Sequence, residues 1–105
     1  VSFTDPFPGL SKPLSDEDLI RALRLDASAE LDAISLYGSH KDSTTNVVVK
    51  AALDDIINEE RIHLGEFERL IEVLTQDEAD FMLKGAHEIE QKFPNLRYKP
   101  HFLSK

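Results

Sequence analysis

Apolar residues recur at helical spacing along two long stretches and one short one, and each stretch is bounded by residues that start or stop helices. The first runs from Ser15 to about His40, with Leu19, Leu23, Ala27, Ile34 and Tyr37 in its stripe. Ser15 suits an N-cap, Ser15-x-x-Asp18 has the form of a capping box, and Asp16, Glu17 and Asp18 place carboxylates at the positive end of the helix dipole. About 25 residues without a proline predict a helix of ~37 Å. The second stretch runs from about Thr45 to Leu74, its stripe built on Val49, Leu53, Ile56, Ile57, Leu64, Phe67, Leu70, Ile71 and Leu74. Only the short polar run Lys41–Thr45 separates the two, so they are expected to lie side by side and antiparallel. Thr75-x-x-Glu78 reads as a second capping box, opening a shorter helix from Gln76 to Lys92 with Phe81, Met82, Ala86 and Ile89 apolar. Pro94 stops it.

The ends are different. Pro6, Pro8 and Pro13 forbid a continuous helix over residues 1–14, which reads as an extended arm docked through Phe3 and Phe7. Residues 94–105 read as an irregular tail or linker, leaving 15–93 as the folded domain. Val1 is not an initiator methionine, and a missing N-terminus is the expectation. The fold class is all-α: an antiparallel two-helix hairpin with a short C-terminal helix.

With 105 residues the chain is one small domain, and so short a monomer buries little without a partner subunit or a metal. The net charge of -8 argues against a nucleic-acid binder, whose footprint is basic. No apolar run approaches the ~18 residues of a membrane span, and no secretory signal is expected. Zero cysteines remove disulfides, thiolate chemistry and cysteine-based zinc sites. The acid is unevenly placed: residues 15–74 hold 14 Asp/Glu against 6 Lys/Arg, so the whole excess lies in the two long helices.

The informative residues interrupt the apolar stripes. Glu60 and His63 are three apart on the second helix and share a face. Glu30 falls in the series Leu23, Ala27, Glu30, Ile34, Tyr37 on the first. All three are expected to face the core. Inward carboxylates are costly unless paired or bound to a cation, and two facing each other repel. Oxygen donors with one imidazole suit Fe(II), Mn(II) or Zn(II). Any one of the three residues alone has a plainer reading, such as a satisfied core histidine or an ion pair from Glu30 to Arg24 or Arg61. The three together point to metal. Di-iron four-helix bundles use one Glu from each of two helices and Glu-x-x-His from each of the other two. This chain supplies half that set, so two copies on a two-fold axis would complete one dinuclear site.

The segments AELDAISLY and NEERIHLGEF resemble the ferritin-like di-iron proteins, and more narrowly the encapsulated ferritins, over residues 15–92. The resemblance implies that Glu30, Glu60 and His63 are iron ligands and catalytic residues. It implies a dimer that rebuilds a four-helix bundle around two irons, assembly into a higher ring such as a decamer, and ferroxidase activity. It also implies an encapsulin shell protein as partner, iron storage inside that nanocompartment, and a cytoplasmic setting. Tyr37 matches a tyrosine of the family and is a candidate to hydrogen-bond a ligand or shield the irons; a core tyrosine with a satisfied hydroxyl is the equal alternative. Ala29 stands where some relatives carry a carboxylate of an additional metal-access site, Leu36 where some carry an aromatic, and Asp32 is the remaining candidate for such a site. The family's cargo-loading peptide is not recognisable in KPHFLSK, which fits a truncated chain or a domain fused to the shell protein. The alternatives are a rubrerythrin-like peroxide reductase, disfavoured by the lack of the cysteines of a rubredoxin-type centre, and a non-catalytic helical dimerisation module.

Overall fold

The computed structural model describes residues 13–96; the arm at 1–12 and most of the tail, 97–105, lie outside the described residues. The described residues form three helices in order, α1 (Asp16–Asp42), α2 (Val47–Leu74) and α3 (Glu78–Lys92). They contain no strand. No described helix is long and apolar enough to cross a membrane.

Local chemistry sets the ends of α1. The Ser15 hydroxyl accepts from the Asp18 N–H at 3.1 Å, and the first turn carries Asp16, Glu17 and Asp18. Arg21 reaches back to Glu17 at 2.7 Å and Asp18 at 3.6 Å, the pairs that one helical turn allows. At the far end His40 and Lys41 sit in the last turn, where positive charge complements the dipole. The Ser43 N–H then bonds the Ser39 and His40 carbonyls and ends the helix.

The connection is shorter than the sequence suggests, because Lys41 and Asp42 are still helical. The cap that opens α2 is Asn46, whose side-chain oxygen accepts from the N–H groups of both Val48 and Val49 at 3.1 Å. Thr44 holds the turn by accepting from the Asn46 N–H at 3.2 Å. The antiparallel pairing of α1 and α2 is marked at two levels. Near the turn Lys41 Nζ meets Asp54 at 2.7 Å, and halfway along the hairpin Glu30 faces His63. The Asp54 carboxylate, by hydrogen bond and by charge, raises the Lys41 pKa above its usual 10.5.

The expected core is only half covered. Leu23, Ala27 and Ile71 are the buried apolar residues among those described. Leu53, Ile57, Leu64 and Phe67 are half-buried, whereas Val49, Ile56 and Leu70, from the same predicted stripe, are exposed. The physical reason is rotational. On α2 the residues Ile57, Leu64 and Ile71 point at α1, and Val49, Ile56 and Leu70 lie roughly a quarter turn further round, beyond the reach of a single neighbouring helix.

The chain divides at Thr75 into two compact units. The second contains α3, which opens at Asp77 without a side-chain cap bond and not at a Thr75 capping box. Thr75 is instead the C-cap of α2, its N–H bonded to the Ile71 carbonyl. Its hydroxyl is buried without a hydrogen-bond partner among the described residues, so it caps no turn of α3. Phe81, Met82, Ile89 and Phe93 of this unit are exposed.

Candidate metal centre

Glu30 lies near the middle of α1, and Glu60 and His63 lie near the middle of α2. The antiparallel register brings these midpoints to the same level. Each of the three offers one ligand atom to a group in which all such atoms lie within 4.8 Å of one another. His63 Nδ1 stands 3.8 Å from a Glu30 oxygen and 3.9 Å from a Glu60 oxygen. These separations exceed a hydrogen bond, so the imidazole satisfies neither carboxylate. They suit a shared cation: ligands ~2.1 Å from one metal ion are ~3.0 Å apart when adjacent and ~4.2 Å when opposite. The widest permitted spacing, 4.8 Å, closes with side-chain shifts of a few tenths of an ångström.

Burial is graded across the cluster. The side chains of Glu30 and Glu60 are 18% and 21% exposed, and that of His63 is 49% exposed. His63 is therefore at the rim of the hairpin and not in its core, because it belongs to the Val49–Ile56–Leu70 stripe that α1 leaves open. Glu30 Oε2 is buried and accepts no hydrogen bond from the described residues. A buried, unpartnered carboxylate oxygen costs on the order of 1–3 kcal/mol. A cation at this position removes that cost, and the donor set of two carboxylates and one imidazole, without sulfur, is one that iron, manganese and zinc accept.

Of the other residues singled out by sequence, Tyr37 is half-buried two turns after Glu30 on the same face of α1. Asp32 is exposed, about 200° around α1 from Glu30, and is not a member of the cluster. Ala29 and Leu36 share its outer side of α1 and are exposed as well. The Lys41–Asp54 bridge and the Asn46 cap were not anticipated. The bridge has no local signal, being 13 residues apart, whereas an Asn directly before the Val47–Val49 run is a helix-start signal of the ordinary kind.

No family model matches the chain. It is 43% identical over 77 residues, 72% of its length, to an encapsulin nanocompartment cargo protein of Myxococcus xanthus. Over 80 residues, 76% of its length, it is 35% identical to a ferritin-like–encapsulin shell fusion protein of Pyrococcus furiosus. It spans 59% of the first of these curated relatives and 23% of the second. Among solved structures it matches the crystal structure of the encapsulated ferritin domain from Pyrococcus furiosus with a TM-score of 0.78 and 32% identity, covering 93% of this chain and 99% of that one.

Proposed function

The chain belongs to the encapsulated ferritin family, and on that premise we propose that it is a ferroxidase working at a dinuclear site shared between two copies. The observation that carries the reading is the Glu30–Glu60–His63 cluster, with its orphaned Glu30 oxygen and an imidazole turned toward both carboxylates without bonding either.

One chain offers too few donors for two ions, and its cluster lies at the open rim of the hairpin. A second hairpin on a two-fold axis doubles the set to four carboxylates and two imidazoles. Fe(II) is the substrate. Glu30, Glu60 and His63 of both copies would hold the two ions, Glu60 and its symmetry mate from the two sides of the axis and His63 through Nδ1, the ring nitrogen turned toward both carboxylates. The other ring nitrogen takes an acceptor that fixes the ring. Each Fe(II) gives up one electron, and dioxygen takes both electrons with two protons and leaves as hydrogen peroxide. Two Fe(III) ions remain for mineral. The chain's own contribution is to hold donors at fixed spacing in a half-buried site, where the carboxylates balance the rising charge of the ions. Tyr37 is placed to hydrogen-bond a ligand or to shield the ions. Asp32, on the outer face of α1, is a candidate to lead ions toward the site.

The names of the relatives extend the proposal: the chain acts as cargo of an encapsulin shell, and the ferric product is stored in that compartment. Ring-shaped assembly of the dimers belongs to the same proposal, as does the division into an arm, a folded domain and a tail.

The test is Fe(II) oxidation followed by ferric absorbance. Glu60→Ala is expected to lose tight iron binding and to oxidise Fe(II) no faster than free solution. Wild-type rates in that variant would overturn the assignment.

A further inference from the structure

The hairpin is pinned unevenly on the two sides of its metal cluster. Leu23 and Ala27 precede Glu30 on α1, and Ile71 follows His63 on α2, so the buried apolar residues all lie on the side away from the turn. Between the cluster and the turn no described residue is buried, and Ile34, Tyr37, Leu53 and Ile57 are only half-buried. Apolar contact is non-directional, so a thin layer of it leaves one helix free to slide or splay on the other.

A directional contact lies in that half. Lys41 Nζ donates to Asp54 Oδ1 at 2.7 Å, from the last turn of α1 to the second turn of α2. Glu30 lies eleven residues before Lys41, and His63 lies nine residues after Asp54. At 1.5 Å per residue these arms measure ~16 Å and ~14 Å. The bridge and the approach of His63 to Glu30 are therefore two rungs of one antiparallel register. A slide of α2 by one turn, ~5 Å, would break the bridge and carry Glu60 and His63 off the level of Glu30 together. The ligand atoms lie within 4.8 Å of one another, so the site feels ångström-scale freedom in the helix pair directly.

We infer that Lys41 and Asp54 are positioning residues for the metal cluster: their bridge fixes the turn-side half of the hairpin, so that Glu60 and His63 stay level with Glu30. The inference rests on the reading of the cluster as a metal site and adds two residues that touch no ion. The Lys41 side chain is 33% exposed and that of Asp54 55%, so the pair contributes little to overall stability. Its effect is geometric, because the contact is short, charge-assisted and crosses between the helices.

Fe(II) affinity of the full chain, measured anaerobically by titration calorimetry, separates positioning from charge. Lys41→Met removes a positive charge and by charge alone would tighten cation binding, whereas Asp54→Asn would weaken it. Positioning requires both variants to bind more weakly, by ~2–5-fold, the range that one exposed pair supplies. The swap Lys41→Asp/Asp54→Lys keeps the net charge at -8 and should recover most of the wild-type affinity. Equal or tighter binding by Lys41→Met, or a swap no better than the single variants, would overturn the inference. A second measurement needs no metal. The chain has no cysteine, so Ser35→Cys/Asn58→Cys, at two exposed positions on the turn side of the cluster, carries a pair of spin labels. In chelator, with labelled chain diluted in unlabelled chain, their distance distribution should broaden when Lys41→Met is added; an unchanged width would also overturn the inference. A wild-type chain that takes up no Fe(II) defeats the ferroxidase reading, and the spin-label widths then decide the role of the bridge alone.

Discussion

Glu30 is a carboxylate in a position where the fold wants an apolar side chain. It lies between Ala27 and Ile34 on the face of α1 that packs α2, with its side chain 18% exposed and Oε2 buried without a hydrogen bond. The His63 Nδ1 is 3.8 Å from the Glu30 carboxylate, too far to satisfy it. Replacement by leucine removes an unsatisfied buried acceptor, a gain of about 1–3 kcal/mol. It also removes one carboxylate from a layer that already holds Glu60. Leucine fills a similar volume and adds apolar contact to the Leu23–Ala27–Ile71 core. Without metal, Glu30→Leu should therefore be more stable than wild type by ~2 kcal/mol, or ~8–16 °C in melting temperature for a domain of this size. The assay is thermal unfolding followed by circular dichroism, in chelator, at one protein concentration for both chains because assembly itself adds stability. Iron oxidation should be lost in the same variant. A metal-free melting temperature below that of wild type would refute the argument that Glu30 is held at a cost for binding. So would Fe(II) oxidation at the wild-type rate.

Three further outcomes follow from the same geometry. Asn46→Ala removes a cap that accepts two backbone N–H groups and should cost ~1 kcal/mol, read as a lower urea midpoint with an unchanged slope. Lys41→Met should be slightly less stable than wild type at neutral pH. Because the folded pKa of Lys41 is raised above 10.5, the bridge contributes fully below that value and is lost as pH climbs through the raised one. Chemical denaturation at a series of pH values should therefore show the two chains converging in strong alkali; a gap that widens there would contradict the sign. Leu70→Glu puts a charge on the exposed side of α2 without altering a member of the metal cluster. Sedimentation should show it monomeric and still helical, and its iron oxidation should fall with dimer content.

The sequence was legible where local chemistry and periodicity agree. Ser15 followed by three acids marked the start of α1 within a residue, and the unbroken stripes marked both long helices. The Glu30, Glu60 and His63 grouping was legible because three polar residues in apolar registers on neighbouring helices have few places to go. The α3 start was misread, since Thr75-x-x-Glu78 has the form of a capping box, yet the Thr75 N–H is already taken by the last turn of α2. The division of the α2 stripe into a side covered by α1 and an open side was invisible in periodicity alone. Ile56 and Ile57 are equally apolar, and only the position of α1 decides which of them is covered. Likewise, the exposure of His63 depends on which side of α2 remains open.

The central claim is that two copies of Glu30, Glu60 and His63 hold two iron ions between them. Anomalous scattering at the iron edge, from crystals of the full chain loaded with Fe(II), tests it most directly. Two iron peaks are expected astride a two-fold axis, each within bonding distance of ligands from both copies. Iron bound wholly within one chain, or bound away from these three residues, would contradict it.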